Sequence, residues 1–213
     1  MYLVDLAVTT NNALRKIRIL NGGHAAIAYP AALLDIHFVH EAMENDLVRA
    51  FLAKLEREEI IPVVPPVPDT DLEAYYRLIE ERFSNPRIGD TITRLCLDGS
   101  NRQPKFILPS VADRLRARQG VQGLALVSAF WARYCVGETE SGKPIAPNDP
   151  SWDRLKLQAA MARTDARAWL DMRDIFGTVA DNPDYVEAFV TALNTIWALG
   201  TRETLVRYLD GTL

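Results

Sequence analysis

The sequence is poor in cysteine: Cys96 and Cys135 are its only two, and neither has a CxxC or Cys/His companion at metal-ligand spacing. That excludes a disulfide scaffold and a cysteine zinc site, and both read as reduced, buried thiols. Long apolar runs are also missing. None approaches the roughly 18 residues that cross a bilayer, and the N-terminus lacks the basic and apolar regions of a secretory leader. There is no basic excess either, since 24 Lys and Arg face 28 Asp and Glu for a formal net charge of −4. A nucleic-acid surface carries the opposite sign. The expectation is a soluble cytoplasmic protein with no membrane and no nucleic-acid partner. Glycine-rich phosphate cradles are absent as well: there is no GxGxxG and no GxxxxGK[ST], and Gly120 and Gly123 are an isolated pair. Nothing in the chain would hold a dinucleotide or a triphosphate.

Strand-like alternation is scarce, whereas apolar residues recur at helical spacing along most of the 213 residues. The fold class read from this is all-α, in a single domain over residues 1–213. Asn11 or Asn12 can cap a helix from about Ala13 to Leu34, with Pro30 as a kink or break. A second helix spans about Ile36 to Glu58, and the prolines of "IIPVVPPVPDT" then enforce an extended connection. Thr70 and Glu73 form a capping box for a helix reaching Phe83. A short helix is expected around Asp90 to Cys96, then a loop, with a further start at Ser110 to Asp113. Leu124 to Tyr134 is apolar enough for a central buried helix. Helices follow at about Trp152 to Met161, Ala166 to Ile175, Tyr185 to Leu199 and Arg202 to Leu209.

What is present, and unusual, is "RKIRILNGGHAAIAYP", Arg15 to Pro30, where a lysine, an asparagine and a histidine interrupt an apolar segment. On a continuous α-helix, Asn21 lies roughly 140° and His24 roughly 80° around from Lys16, so all three share one half of the surface. Gly22 and Gly23 remove bulk beside them, letting a ligand or another backbone come close. The residue types alone also allow a structural reading. In that reading Lys16 snorkels to water, Asn21 bonds locally, and His24 is a satisfied core histidine.

His37 and His40, with Glu41 beside them, have a spacing that could ligate a metal, but no second cluster completes a site, so no metal is expected. "KLEREEI", Lys54 to Ile60, reads as a solvated helix end. Tyr75, Tyr76, Trp131, Trp152, Trp169 and Trp197 read as core or interface filling.

"KIRILNGGHAAIAY" resembles the K-x4-N-x2-H signature of the polyol-specific long-chain dehydrogenases, the mannitol dehydrogenase family. The likeness continues in order through "HFVHEAM", "FSNPRIGDTITRLCLDGSNRQPKFILPS" and "GLALVSAFWARYC", and the DGS-x-R-x-P-K-F segment is a second match. The resemblance implies the helical C-terminal domain of the mannitol dehydrogenase and 6-phosphogluconate dehydrogenase type. It further implies an NAD-dependent, metal-free enzyme interconverting mannitol and fructose, a polyol and its ketose. Lys16 matches the family's general base, Asn21 an asparagine that holds the reacting oxygen, and His24 a substrate-hydroxyl contact. Arg94 and Arg102 match polyol-binding positions. The family's N-terminal Rossmann cofactor domain has no counterpart in the sequence, so the chain is expected to need one in cis or in trans. The other reading is a non-catalytic helical module that keeps the family fold to bind a protein or a small polyol.

Overall fold

The computed structural model describes residues 11–213. Among these there is no strand, and extended pairing is limited to isolated bridges between Phe38 and Thr91 and between Glu138 and Pro144. The all-α expectation holds. No helix among the described residues is long and apolar enough to cross a membrane.

Residues 11–15 are already helical, so the cap expected at Asn11 or Asn12 is not the helix start. They run into a π turn, Lys16–Asn21, and then into α1, Gly22–Leu33. The helix passes through Pro30 to Leu33, so Pro30 does not end it. Ten of its twelve residues are buried, five of them alanine or glycine before Pro30, so neighbours approach it closely. The helix expected over Ile36 to Glu58 is divided. The Glu41 carboxylate accepts from the His37 and Phe38 amides at the start of α2, Val39–Glu44. Asn45 then leaves the helix with ψ of 112°, and its Oδ1 accepts from the Leu47 and Val48 amides to cap α3, Asp46–Leu55.

"KLEREEI" is not a solvated helix end. A second π turn, Glu56–Ile60, carries Glu56 and Glu59 into the interior, where they are 0% and 5% exposed. Each has a different fate. Glu59 accepts from the Gly123 and Leu124 amides at 2.6 and 2.9 Å and from the Tyr208 hydroxyl at 3.3 Å. It thereby neutralises the positive end of the helix that starts there. For Glu56, neither carboxyl oxygen has a hydrogen-bond partner among the described residues.

The proline stretch holds one 3-10 turn, Ile61–Val63. Asp71, not Thr70, caps α4, Leu72–Phe83, by accepting from the Glu73 and Ala74 amides, while Glu73 pairs with Arg57. The next elements are α5, Ile92–Leu95, capped by Thr91, and α6, Gly99–Arg102. A third π turn, Gln103–Ile107, leads into α7, Leu108–Arg116, where a loop and a later helix start were expected.

The centre is α8, Gln122–Tyr134, buried from Gly123 onward, with α1 packed against it. Beyond α9, Trp152–Ala162, the expected helix at Ala166 to Ile175 is a 3-10 segment, Ala166–Asp171, followed by α10, Arg173–Phe176. The last element, α11, Pro183–Asp210, lies along α8 and α3. Trp131, Trp169 and Tyr76 fill the core as expected; Trp197 packs against it, with the guanidiniums of Arg133 and Arg163 near its ring.

α11 kinks at Gly200, where φ is 81° and ψ 172°, between the two helices read from the sequence. Only glycine adopts that region without strain. A Cβ there would also meet the Glu140 carboxylate at 3.3 Å. Gly200→Ala is expected to cost about 1–3 kcal/mol in a urea melt; an unchanged midpoint would show that the kink relaxes freely.

Candidate active site

Lys16 and Asn21 belong to the same π turn. In this geometry an amide bonds the carbonyl five residues back, as the Gly22 amide does to Ile17. An α register would hold positions five apart roughly 140° from each other; the wider turn narrows that angle. Gly22 and Gly23 explain how neighbours reach this segment. A Cβ on Gly22 would stand 3.4 Å from the Phe106 carbonyl, and one on Gly23 would stand 3.1 Å from Glu56 Oε1. The space opened by the glycines is therefore used by protein, by the backbone of the third π turn and by the buried Glu56 side chain.

A cleft of about 210 Å3 opens beside this segment, bordered by Asn21, His24, Ala25, Arg94, Leu95, Arg102 and Phe106. Four of the five residues singled out in the sequence thus converge. Lys16 does not border the cleft, and its side chain is exposed. Two larger hollows, each about 720 Å3, flank the first turns of α11 and contain none of the five. Convergent polar groups, not volume, mark the smaller cleft as the candidate site.

Three of the polar side chains in the cleft are held. The His24 ring stacks on Phe83 with centroids 4.3 Å apart and planes 19° from parallel. Burial lowers its pKa to about 4, opposed by Asp90 and assisted by Arg94, Arg82 and Arg102. At neutral pH it is an uncharged imidazole that can accept from one hydroxyl and donate to another. Arg94 pairs with both carboxylate oxygens of Asp90, and that guanidinium holds the Asp90 carboxyl below its usual range. Arg102 donates to the Leu95 carbonyl at 2.8 Å, which fixes its fork at the rim. A smaller pocket of about 70 Å3 lies beyond His24, bordered also by His40, Arg82, Asn85 and Asp90.

Sequence reasoning missed Phe83, Asp90 and Phe106. The i, i+4 spacing of Asp90 and Arg94 was a usable signal; the two phenylalanines are indistinguishable from core residues. The metal spacing of His37, His40 and Glu41 is spent otherwise, because Glu41 caps α2 and both imidazoles pack on Phe38. No three His, Cys, Asp or Glu side chains converge among the described residues.

The neutral His24 makes stability depend on pH. Unfolded histidine binds a proton near 6.5 and the folded one near 4, so the unfolded state is the more protonated between them. Stability from this group is complete above pH 6.5 and is lost as pH falls toward 4, by about 2–4 kcal/mol. His24→Phe keeps the stack and removes the titration. Urea melts of the two proteins should diverge over that window, and parallel curves would disprove the shift.

The sequence model of the mannitol dehydrogenase C-terminal domain matches residues 11–197. The chain belongs to this family. Within the mannitol dehydrogenases it is 54% identical over 194 residues to the mannitol 2-dehydrogenase of Cereibacter sphaeroides, covering 91% of this chain and 41% of that one. The Pseudomonas fluorescens mannitol 2-dehydrogenase, solved as a ternary complex with NAD and D-mannitol, superposes with a TM-score of 0.91 at 32% identity. That match covers 94% of this chain and 41% of the other. A substrate-free D-sorbitol dehydrogenase, with a TM-score of 0.77 at 20% identity, shares the fold. The chain spans about two fifths of the length of these mannitol dehydrogenase relatives.

Proposed function

We infer that this chain is the substrate-binding and catalytic portion of an NAD-dependent polyol dehydrogenase that interconverts mannitol and fructose. The observation that carries the reading is the single cleft uniting Asn21, His24, Arg94 and Arg102 beside the family motif. NAD, when bound, supplies the hydride acceptor. Among the described residues there is no strand with a glycine-rich turn to hold it, so a Rossmann domain in cis or in trans is part of the proposal.

The chain's own residues handle the alcohol. The Asn21 amide donates to the reacting oxygen as that oxygen gains negative charge, and a preorganised donor of this kind is worth about 2.7–4 kcal/mol. His24, uncharged and fixed against Phe83, holds a neighbouring hydroxyl and selects the carbon that reacts. Arg94 and Arg102 serve further hydroxyls through their forked donors. Lys16, one π turn before Asn21, takes the hydroxyl proton. A lysine acts as a base where desolvation disfavours its ammonium form, and Lys16 is exposed in this chain. The proposal therefore requires the cofactor domain to close over it. Both cysteines are free and buried, which suits a reducing cytoplasmic setting.

The exposure of Lys16 is also the observation that favours a second reading, a helical module that binds a polyol without chemistry. Supplying the chain with a cofactor domain separates the two. Mannitol-dependent NADH formation supports the enzyme; an assembly that binds both NAD and mannitol yet forms no NADH supports the module.

A further inference from the structure

We propose that Arg18 is a positioning residue that locks the register of the π turn between Lys16 and Asn21. The residue is 7% exposed, although it lies in the middle of the motif. One terminal nitrogen donates to Ser110 Oγ at 3.0 Å and the other to Asp113 Oδ2 at 2.8 Å. Both partners are on α7, which the third π turn feeds directly. Asp113 is itself held by Arg116 from the solvent side at 2.8 Å. The motif segment is thus tied to a second element by two directional bonds, two residues after Lys16 and three before Asn21.

The π turn needs such a tie. A π segment is a rare departure from the α register, and its register reverts unless the surroundings over-determine it. Three π turns meet here: Lys16–Asn21 packs against both Glu56–Ile60 and Gln103–Ile107. Packing by Ile19 and Gly22 opposes sliding, and among the described residues of this turn Arg18 is the one whose side chain hydrogen-bonds to α7. Slipping to the α register would swing Lys16 away from Asn21 by roughly a quarter of a turn. The base and the oxyanion donor would then no longer address the same oxygen. Arg18 borders neither the cleft nor the pocket beyond His24.

This inference rests on the proposed role of Lys16, and the test separates the two. In the enzyme assembled from this chain and a cofactor domain, Arg18→Lys keeps the charge but loses the fork, and Asp113→Asn keeps the shape but loses the charge. Each is expected to lower kcat for mannitol about 10–100-fold, the cost of a small misplacement of reacting groups. KM should be unchanged, and the deuterium isotope effect on kcat should rise as chemistry slows. Asp113→Glu should restore most of the turnover, and the double variant Arg18→Lys with Asp113→Asn should be no worse than either single one. In the chain by itself, amide hydrogen exchange at residues 17–22 should accelerate in both single variants while the global melting midpoint moves little. If kcat and the isotope effect stay at the parent values while Lys16→Ala is inactive, the positioning role is overturned and the base remains. Loss of turnover only in proportion to lost folded protein, or unchanged exchange at residues 17–22, would overturn it as well. If Lys16→Ala is fully active, the base assignment itself falls.

Discussion

Lys16→Ala, in the protein assembled with its cofactor domain, is expected to lower mannitol turnover by about 10²–10⁴-fold, the usual contribution of a positioned general base. That corresponds to about 3–5.5 kcal/mol of transition-state stabilisation. The alcohol cannot release hydride while its oxygen keeps the proton, and in the chain's motif Lys16 is the one side chain of suitable chemistry on the same π turn as Asn21. The fold should survive, because the side chain is exposed and its truncation leaves no cavity. NAD affinity should also survive, since the dinucleotide would be held elsewhere. Mannitol affinity should change little, because Asn21, His24, Arg94 and Arg102 form the cleft without it. Stopped-flow measurement of the first turnover locates the loss: a slow chemical step with normal binding supports the base, and a normal burst with slow product release contradicts it.

The second large effect concerns Glu56, fully buried, with no partner for either oxygen among the described residues. Burial pushes its carboxyl well above the usual carboxylate value of 4.5, so the folded chain keeps it protonated where the unfolded chain has lost the proton. The native state then binds more protons than the unfolded state, and stability must fall as pH rises. The slope is about 1.4 kcal/mol per pH unit from pH 4.5 upward, until the buried carboxyl itself ionises. Glu56→Met preserves the unbranched shape against Gly23 and removes the titration. It should therefore be the more stable protein, with an advantage that grows with pH, as expected when an uncompensated buried acid gives way to an apolar side chain. Denaturant melts between pH 5 and 8 measure the gap. A constant gap, or a variant less stable than its parent, would show that the carboxyl finds a partner in solution. Glu59 is the internal contrast. It is also buried, yet Glu59→Met should destabilise, because two α8 amides and the Tyr208 hydroxyl would lose their acceptor.

These two residues show where a sequence stops speaking. The helical class, the buried α8 and the break near Gly200 were legible because apolar period and glycine placement act locally. Glu56 and Glu59 were not, since a run of alternating charges has the composition of a wet surface, and only the π turn rotates two of them inward. The same device hid the shared π turn of Lys16 and Asn21: apolar spacing barely distinguishes one extra residue per turn. Asn45 was obscured inside an amphipathic run that continues on both sides of it, although its side chain caps α3. The convergence of Asn21, His24, Arg94 and Arg102 was legible through the family motif, because two segments about 70 residues apart must fold together before they share a cleft. Of their supports, Asp90 behind Arg94 is signalled locally by its i, i+4 spacing, whereas Phe83 beneath His24 depends on tertiary packing that no single segment encodes.

The central claim is that a polyol occupies the cleft between α1 and the α5–α6 segment. The most direct measurement is a crystal structure of the chain assembled with its cofactor domain and soaked in mannitol. The account predicts one polyol in that cleft, with adjacent hydroxyls within hydrogen-bond reach of the Asn21 amide and the His24 imidazole, and with Lys16 closed over by the second domain. Mannitol seated instead in either hollow beside α11, with the cleft filled only by water, would contradict it.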